Sequence, residues 1–334
     1  MRIGLIGTGR IGSFHAAALA RRPDAGSLLL ADAEPGRAAR LAERLGATAA
    51  PGVDQVFSWG VDALVVTCST EGHAELVVRA VRGGLPVFCE KPLAPDLQRG
   101  LAVLREVAAV GGVLQVGFMR RFDAGYGTAR ELVRSGALGR LHTVRTVTAD
   151  PAPPSAAYLA TSGGLYRDCL VHDFDAVRWV TGHEVREVYA TGSDAGPPRF
   201  RETGDVDTAA AVLTLDDGTL VTCSGTRCNG AGYDVRMEVS GELDQISTGL
   251  DDRTPIASAE PHGPPPATKP WPGFLERFAP AYEAELAAFV RLVRGEGPNA
   301  CDGREALAAF RVAEACERSR RERRPVLMEE LPDL

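Results

Sequence analysis

Short apolar runs alternate with amphipathic stretches over the first 118 residues of the chain. The runs predict buried strands, and stretches with apolar residues three and four apart predict helices. The predicted strands are Ile3–Ile6, Leu28–Ala31, Ala63–Thr67, Pro86–Cys89 and Val113–Val116, and the predicted helices are Ser13–Arg22, Pro35–Leu45, Glu71–Arg82 and Asp96–Val110. Because strands separated by helices of this length form βαβ units, this region predicts an α/β domain with a doubly wound parallel sheet.

The pattern changes after residue 118, where strand signals follow one another with fewer helices between them. The predicted helices are Ala124–Ser135 and about 165–180, and the predicted strands are Leu141–Ala149, Val185–Thr191, Asp207–Leu215, Thr219–Ser224 and Val235–Ser240. A long loop at 251–273 precedes two closing helices at about 274–294 and 304–321. We therefore expect a first domain at 1–118 and an α+β domain at 119–334 with a large open, mostly antiparallel sheet. The closing helices could pack back on the first domain.

Composition argues against several classes of protein but does not indicate an activity. The chain has 45% hydrophobic and 24% charged residues, with a formal net charge of −7 and the two signs interspersed, which argues against a nucleic-acid partner. Its seven cysteines form no C-x-x-C pair and have no nearby histidine pair, so we expect reduced thiols and no metal site. No apolar run approaches the ~18 residues that span a bilayer, and no signal-peptide layout is present. We expect no membrane partner and a cytoplasmic location.

A glycine-rich turn carries the first functional motif. Gly7-Thr8-Gly9-Arg10-Ile11-Gly12 follows a predicted strand and precedes a predicted helix, the setting in which G-x-G-x-x-G binds a dinucleotide. Its pyrophosphate would lie at the helix N-terminus, where free N–H groups and the dipole favour anions. The alternative is a structural turn in a doubly wound domain that binds no ligand.

Asp32 ends the second predicted strand, twenty residues after Gly12. A carboxylate there can accept hydrogen bonds from ribose hydroxyls and would repel a 2′-phosphate, which favours NAD over NADP. Arg37 lies close enough in sequence to keep NADP open. We also expect Thr67, at the end of the third predicted strand, to be a cofactor-binding residue.

Lys91 stands out because the chain holds 37 basic residues and only two of them, Lys91 and Lys269, are lysines. Arginine stays protonated in proteins, whereas a lysine can release and recapture a proton. Lys91 follows the predicted strand Pro86–Cys89, at the edge where doubly wound sheets bind ligands. It therefore becomes a candidate catalytic residue, with a chance surface lysine as the alternative.

A second candidate group lies on the predicted helix at about 165–180. Asp168, His172 and Asp175 are spaced four and three residues apart and would share one face. A histidine with a carboxylate one turn back is a base with an orienting group. The alternative is a solvated acidic face. The apolar residues of the same helix are expected in the core: Leu170, Val171, Phe174 and Val177.

With these motifs the chain resembles the glucose–fructose oxidoreductase, inositol dehydrogenase and MocA family, and within it the inositol 2-dehydrogenases, over essentially its whole length. The markers are Gly-Thr-Gly-Arg-Ile-Gly at 7–12, Glu-Lys-Pro at 90–92, Gln-Val-Gly-Phe-Met-Arg-Arg-Phe-Asp at 115–123, Gly-Gly-x-x-x-Asp-x-x-x-His-Asp at 163–173 and Gly-Tyr-Asp at 232–234. The resemblance implies a Rossmann domain followed by an α/β domain whose open sheet forms the substrate wall and the interface of a homo-oligomer, a tetramer or a dimer.

The resemblance also implies site residues. The catalytic group would be Lys91, Asp168 and His172. The cofactor-binding residues would be Gly7, Gly9, Arg10, Ile11, Gly12, Asp32, Thr67, Glu90 and Lys91, and the substrate residues Lys91, Met119, Arg120, Asp150, Asp168, His172, Asp175 and Tyr233. One departure concerns a His-Arg-Asn or similar triplet that inositol dehydrogenases often carry. Here Thr148-Ala149-Asp150 stands at that place before Pro151, which leaves the exact cyclitol open.

The expected function is NAD-dependent oxidation of a secondary alcohol of a cyclic polyol, myo-inositol or a related cyclitol or inosose. Oxidation needs a base beside the carbinol oxygen and a donor for the developing alkoxide. His172, of a residue type whose ordinary pKa is about 6.5, would be the base, with Asp168 orienting it. Lys91 would donate to the same oxygen, and which of the two takes the proton first stays open. The alternatives are an aldose or sugar dehydrogenase and a non-catalytic NAD(H)-sensing regulatory protein.

Overall fold

A computed structural model of the protein describes all 334 residues. The chain divides into two compact units, one made of residues 1–119, 280–307 and 334, the other of residues 120–279 and 308–333. Each unit contains its own β-sheet. None of the helices combines the length and hydrophobicity that crossing a bilayer requires.

The first unit contains six parallel strands in the order β3-β2-β1-β4-β5-β6. The strands are β1 (Arg2–Ile6), β2 (Ser27–Ala31), β3 (Thr48–Ala49), β4 (Ala63–Val66), β5 (Val87–Glu90) and β6 (Leu114–Gly117). The helices between them are α1 (Arg10–Ala20), α2 (Arg37–Leu45), α3 (Val53–Ser58), α4 (Thr70–Arg82) and α5 (Leu97–Ala109). The predicted doubly wound parallel sheet is confirmed. The prediction omitted β3 and α3, which are too short for a periodic pattern to show.

Burial explains why apolar runs mark the central strands. All residues of β4 and β5 are buried, as expected for parallel strands covered by helices on both faces. The core of this unit includes Leu5, Leu30, Val65 and Phe88. Helix α5 begins after Asp96, whose side chain accepts a hydrogen bond from the Arg99 N–H at 2.8 Å and so caps the helix.

The second unit contains a seven-stranded mixed sheet in the order β12-β11-β7-β10-β9-β8-β13. Its strands are β7 (Leu141–Ala149), β8 (Val185–Ser193), β9 (Thr208–Leu215), β10 (Leu220–Thr226), β11 (Asp234–Gly241), β12 (Gln245–Thr248) and β13 (Val326–Leu327). Every neighbouring pair is antiparallel except β7 with β10, which run parallel. The predicted mostly antiparallel sheet is confirmed, although β12 and β13 were not predicted.

The remaining helices follow in chain order. They are α6 (Ala124–Arg134), α7 (Ala156–Leu159), α8 (Val171–Thr181), α9 (Arg199–Thr203), α10 (Phe274–Arg277), α11 (Ala279–Val293) and α12 (Gly303–Glu322). A π-helical turn, Tyr166–Leu170, leads directly into α8. The predicted helix at about 165–180 therefore exists, but it opens with a wider turn of the type often found at functional sites. Helix α11 contributes Leu286, Phe289 and Val290 to the core of the first unit.

Candidate active site

The glycine turn of the first unit has the geometry that a dinucleotide needs. Gly7 has a φ of +98°, and a Cβ there would lie 2.4 Å from the Cys68 backbone. A Cβ on Gly12 would lie 1.8 Å from the Gly7 carbonyl oxygen, so only glycine permits this close packing of helix and strand. Around Gly9, by contrast, no atom would lie within 4 Å of an added Cβ. The turn is therefore closed at its first and third glycines and open at the second, where a pyrophosphate would approach.

Helix α1 begins at Arg10, and its N-cap Gly9 makes no side-chain cap. The first turn of a helix directs its N–H groups and the positive end of its dipole outward, an arrangement that favours an anion. Thr67 supports this turn from the end of β4, since its hydroxyl donates to the Gly7 carbonyl oxygen at 2.7 Å. The Thr67 side chain thereby holds the shape of the cofactor turn.

Asp32 follows β2 and is fixed by donors from two directions. Its Oδ2 accepts hydrogen bonds from the Thr8 N–H at 2.6 Å and the Thr8 hydroxyl at 2.8 Å, and its Oδ1 accepts from the Glu34 N–H at 2.8 Å. Burial alone would raise the pKa of this carboxyl, but these hydrogen bonds and nearby Arg37 outweigh it and lower the pKa. Arg37 also forms an ion pair with Glu34, so its charge is balanced by two carboxylates. Asp32 is therefore a fixed anion.

The segment 90–92 lies at the carboxyl end of β5. Glu90 accepts a hydrogen bond from the Lys91 N–H at 3.2 Å and contacts His15 on helix α1 at 2.6 Å. Pro92 follows a cis peptide bond, and its carbonyl oxygen faces Nδ1 of the buried His73 at 2.8 Å. The other ring nitrogen of His73 faces the Cys68 carbonyl oxygen at 3.1 Å. Burial lowers the pKa of His73. The residues on both sides of Lys91 are thus tied to buried histidines that the sequence analysis did not identify.

Asp168, in the second unit, lies in the π-helical turn and is firmly held. Arg227 donates from Nη2 to Asp168 Oδ2 at 2.7 Å, and the Tyr158 hydroxyl lies 3.0 Å from both carboxylate oxygens. The arginine is 2% exposed and the aspartate 8%. Arg227 also approaches Asp150, with 3.7 Å between Nη1 and Oδ2. The arginine therefore bridges a predicted catalytic carboxylate and a predicted substrate carboxylate.

His172 begins the next turn, on α8, and is half-buried. The expected core residues of this region, Leu170, Val171, Phe174 and Val177, are at most 1% exposed, which confirms their prediction. Asp175, the third polar residue assigned to this face, is held by a buried arginine, as Asp168 is. It is fully buried and pairs with Arg121, whose Nη2 lies 2.6 Å from Asp175 Oδ1.

Arg120, a predicted substrate residue, is also held by buried partners. Its Nη1 donates to Asp173 Oδ1 at 2.9 Å and its Nη2 to the Thr148 hydroxyl at 2.8 Å, while that hydroxyl donates to Asp173 Oδ2 at 2.7 Å. Burial alone would lower the pKa of Arg120, but the charge of Asp173 raises it. Thr148 is the first residue of the unusual triplet, so its hydroxyl is committed to this network.

The last two predicted substrate residues are both buried. Met119 is 3% exposed and lies in the 3₁₀ turn Met119–Phe122. Tyr233 is 5% exposed and forms an isolated bridge with Trp271, and burial holds its pKa well above the usual range. Neither the bridge nor the buried arginine pairs could be identified from residue spacing, because their partners are distant in sequence.

A glycine turn built for a dinucleotide and the matching family models together define the class of protein. Residues 1–118 match the oxidoreductase family with an NAD-binding Rossmann fold, and residues 126–247 match the GFO/IDH/MocA C-terminal domain. The chain therefore belongs to the GFO/IDH/MocA family of oxidoreductases, as the sequence motifs predicted.

Individual proteins also match the chain over nearly its whole length. The chain is similar to myo-inositol dehydrogenase Hyg17 of Streptomyces leeuwenhoekii, with 40% identity over 96% of this chain and 97% of the relative. Among solved structures, a myo-inositol dehydrogenase from Corynebacterium glutamicum matches with a TM-score of 0.89 at 32% identity, covering 100% of this chain and 99% of that one. A scyllo-inositol dehydrogenase from Lactobacillus casei with bound NAD(H) and scyllo-inositol matches with a TM-score of 0.86 at 26% identity, covering 98% and 99%.

Proposed function

We propose that the protein is an NAD-dependent dehydrogenase that oxidises a secondary alcohol of a cyclic polyol, myo-inositol or a related cyclitol. The observation that carries this proposal is the fixed carboxylate of Asp168, held by Arg227 at 2.7 Å and by Tyr158 at 3.0 Å, one turn before His172. A histidine with a rigid acidic neighbour can act as the base that alcohol oxidation requires. Support for the substrate class comes from relatives that are named inositol dehydrogenases and match nearly the whole chain.

The residues of the first unit fit NAD in particular. The open space at Gly9 and the N–H groups at the start of α1 would take the pyrophosphate, together with Arg10 and Ile11. Asp32 would accept from the ribose hydroxyls, and its lowered pKa keeps it an anion that repels a 2′-phosphate. When bound, NAD supplies the hydride acceptor of the reaction.

Each catalytic residue has a separate role in the proposal. His172 removes the proton from the carbinol oxygen, and Asp168 favours the protonated form of the histidine that results. Lys91 donates to the same oxygen and stabilises the developing alkoxide. In the alternative order, neutral Lys91 accepts the carbinol proton first and relays it. Asp150 and Tyr233 would contact the polyol, with Met119. Arg120 and Asp175 would shape its site from within their buried ion pairs.

The proposal also covers the roles of the two domains, the oligomeric state and the location of the protein. Residues 1–118 would bind NAD, and residues 119–334 would bind substrate and form a homotetramer. Exposed apolar side chains on the second sheet, Tyr189, Val212 and Leu220, support an oligomer contact there. None of the seven cysteines forms a disulfide, which fits a cytoplasmic location.

A screen of cyclitols, aldoses and linear polyols with NAD and NADP tests the function. Formation of reduced nicotinamide, followed by its absorbance, should be fastest with an inositol and NAD. Faster turnover of glucose or galactose would replace the substrate assignment with the sugar dehydrogenase alternative. Cofactor binding without turnover of any compound would contradict the proposal and favour an NAD(H) sensor.

A further inference from the structure

His15 is a fully buried histidine that neither the cofactor turn nor the catalytic group uses. It lies in the second turn of α1, and its ring is 0% exposed. Aromatic rings enclose it, with centroids 5.5 Å away for Phe88 and for Tyr282 and edge-on geometry in both cases. An apolar side chain would suit such surroundings better than an imidazole. A polar ring buried in this way is expected to have a hydrogen-bond partner.

Glu90 is the hydrogen-bond partner of His15. His15 Nε2 lies 2.6 Å from Glu90 Oε1, and because a carboxylate oxygen accepts, Nε2 carries the hydrogen. The second oxygen of the same carboxylate accepts from the Lys91 N–H at 3.2 Å. On the neighbouring strand, a Cβ on Gly117 would lie 3.2 Å from this oxygen, so glycine leaves room for the carboxylate. One carboxylate thus connects helix α1 to the backbone of Lys91.

We propose that His15 is a positioning residue for Lys91, acting through Glu90. The inference rests on the proposed function, in which Lys91 donates to the carbinol oxygen. Because α1 begins at the dinucleotide turn, the link holds the lysine in a fixed relation to the helix that binds the pyrophosphate. His15 Nδ1 has no hydrogen-bond partner. The ring therefore offers no onward route for a second proton, and its role is to fix geometry and not to carry protons.

The kinetic test compares His15→Leu, which removes the donor, with His15→Gln, whose amide can still donate to Glu90. A catalytic group displaced by about 1 Å can lose about 10²-fold in rate. We expect His15→Leu to lower kcat about 10- to 100-fold while the dissociation constant for NADH changes less than about twofold. With inositol deuterated at the reacting carbon, the isotope effect on kcat should increase, because hydride transfer becomes slower relative to the other steps. His15→Gln should recover most of kcat.

Ser319→Ala is a matched control for general loss of stability. Ser319 is also 0% exposed, and its hydroxyl accepts from the Ala190 N–H and donates to the Arg324 carbonyl oxygen. Ser319 belongs to the second unit, whereas the residues that hold Lys91 belong to the first. If His15→Leu lowers the melting temperature as Ser319→Ala does but leaves kcat within about twofold, the positioning role is wrong. Parallel loss of NADH binding and kcat would also overturn it.

A second measurement separates this inference from the proposed function. The chain has only two lysines, so reductive methylation with ¹³C-formaldehyde labels Lys91, Lys269 and the amino terminus alone. Lys269→Arg assigns the resonances. We expect His15→Leu, or Glu90→Gln if the leucine variant does not fold, to shift the Lys91 signal and leave the Lys269 signal unchanged. An unchanged Lys91 signal would overturn the positioning role even if the protein oxidises inositol. A shifted Lys91 signal would support it even if no polyol is turned over.

Discussion

Arg227 offers the most direct perturbation of the proposed catalytic carboxylate. In Arg227→Met, Asp168 loses the guanidinium that lies 2.7 Å from Oδ2 and keeps the Tyr158 hydroxyl at 3.0 Å. Breaking a buried ion pair by removing one partner costs about 3–5 kcal/mol. Because the tyrosine still donates to the carboxylate, we expect a loss near the lower end, about 3 kcal/mol in the free energy of unfolding. That corresponds to about a 10²-fold change in the unfolding equilibrium constant.

A double-mutant cycle with Asp168→Asn separates the pair from its surroundings. Asparagine removes the buried charge, so Arg227→Met should cost less in that background, with a coupling energy of about 1.5–3 kcal/mol. The assay is urea unfolding followed by both tryptophan fluorescence and circular dichroism. The control is Arg145→Met, whose pair with Glu238 spans 3.6 Å and leaves the arginine side chain 62% exposed. This surface change should cost less than about 1 kcal/mol. Additive effects of the two buried substitutions, within about 0.5 kcal/mol, would refute the idea that Arg227 holds Asp168.

Four further predictions follow from the same geometry. Lys91→Arg keeps the charge but cannot titrate, and kcat should fall more than about threefold with folding intact, as measured by initial rates; a smaller change would refute the proton role. His172→Ala should lower kcat by about 10²–10⁴, and a loss below about tenfold would remove it as the base. Asp32→Ala should improve kcat/KM for NADP relative to NAD by at least about tenfold, because the fixed anion no longer repels the 2′-phosphate. Burial lowers the pKa of His73, so as pH falls below 6.5 the unfolded chain takes up a proton that the folded chain resists. The melting temperature should therefore fall from pH 6.5 toward the lowered pKa, and less steeply in His73→Gln; equal slopes would contradict this.

Much of the fold could be predicted because burial on both faces of the first sheet leaves continuous apolar runs. Strands such as β4 and β5 contain only buried residues, so the sequence shows them without ambiguity. Elements of two residues, such as β3 and β13, have no period to detect. The parallel pairing of β7 with β10 depends on contacts between distant parts of the chain, which no local pattern contains.

The predicted site residues rest on motifs, whereas the groups that hold them do not. Asp168 and His172 belong to a local pattern, but Arg227 lies 59 residues beyond Asp168 and has no motif of its own. His15 lies 75 residues from Glu90. The only local signal of its role is that a histidine occurs in helix α1, directly after the glycine turn. The π-helical turn at Tyr166–Leu170 could not be predicted from a helical pattern either. Side chains that act through another residue are set by packing, and packing requires the three-dimensional structure.

Transfer of deuterium from labelled inositol to NAD tests the central claim most directly. Myo-inositol deuterated at carbon 2 is incubated with NAD and the protein, and the reduced cofactor is analysed by mass spectrometry and NMR. The account predicts reduced nicotinamide with deuterium at C4, formed by the wild-type protein and strongly diminished in His172→Ala. Reduced cofactor without deuterium would contradict oxidation at that carbon. No reduced cofactor with any cyclitol would contradict the proposed dehydrogenase itself.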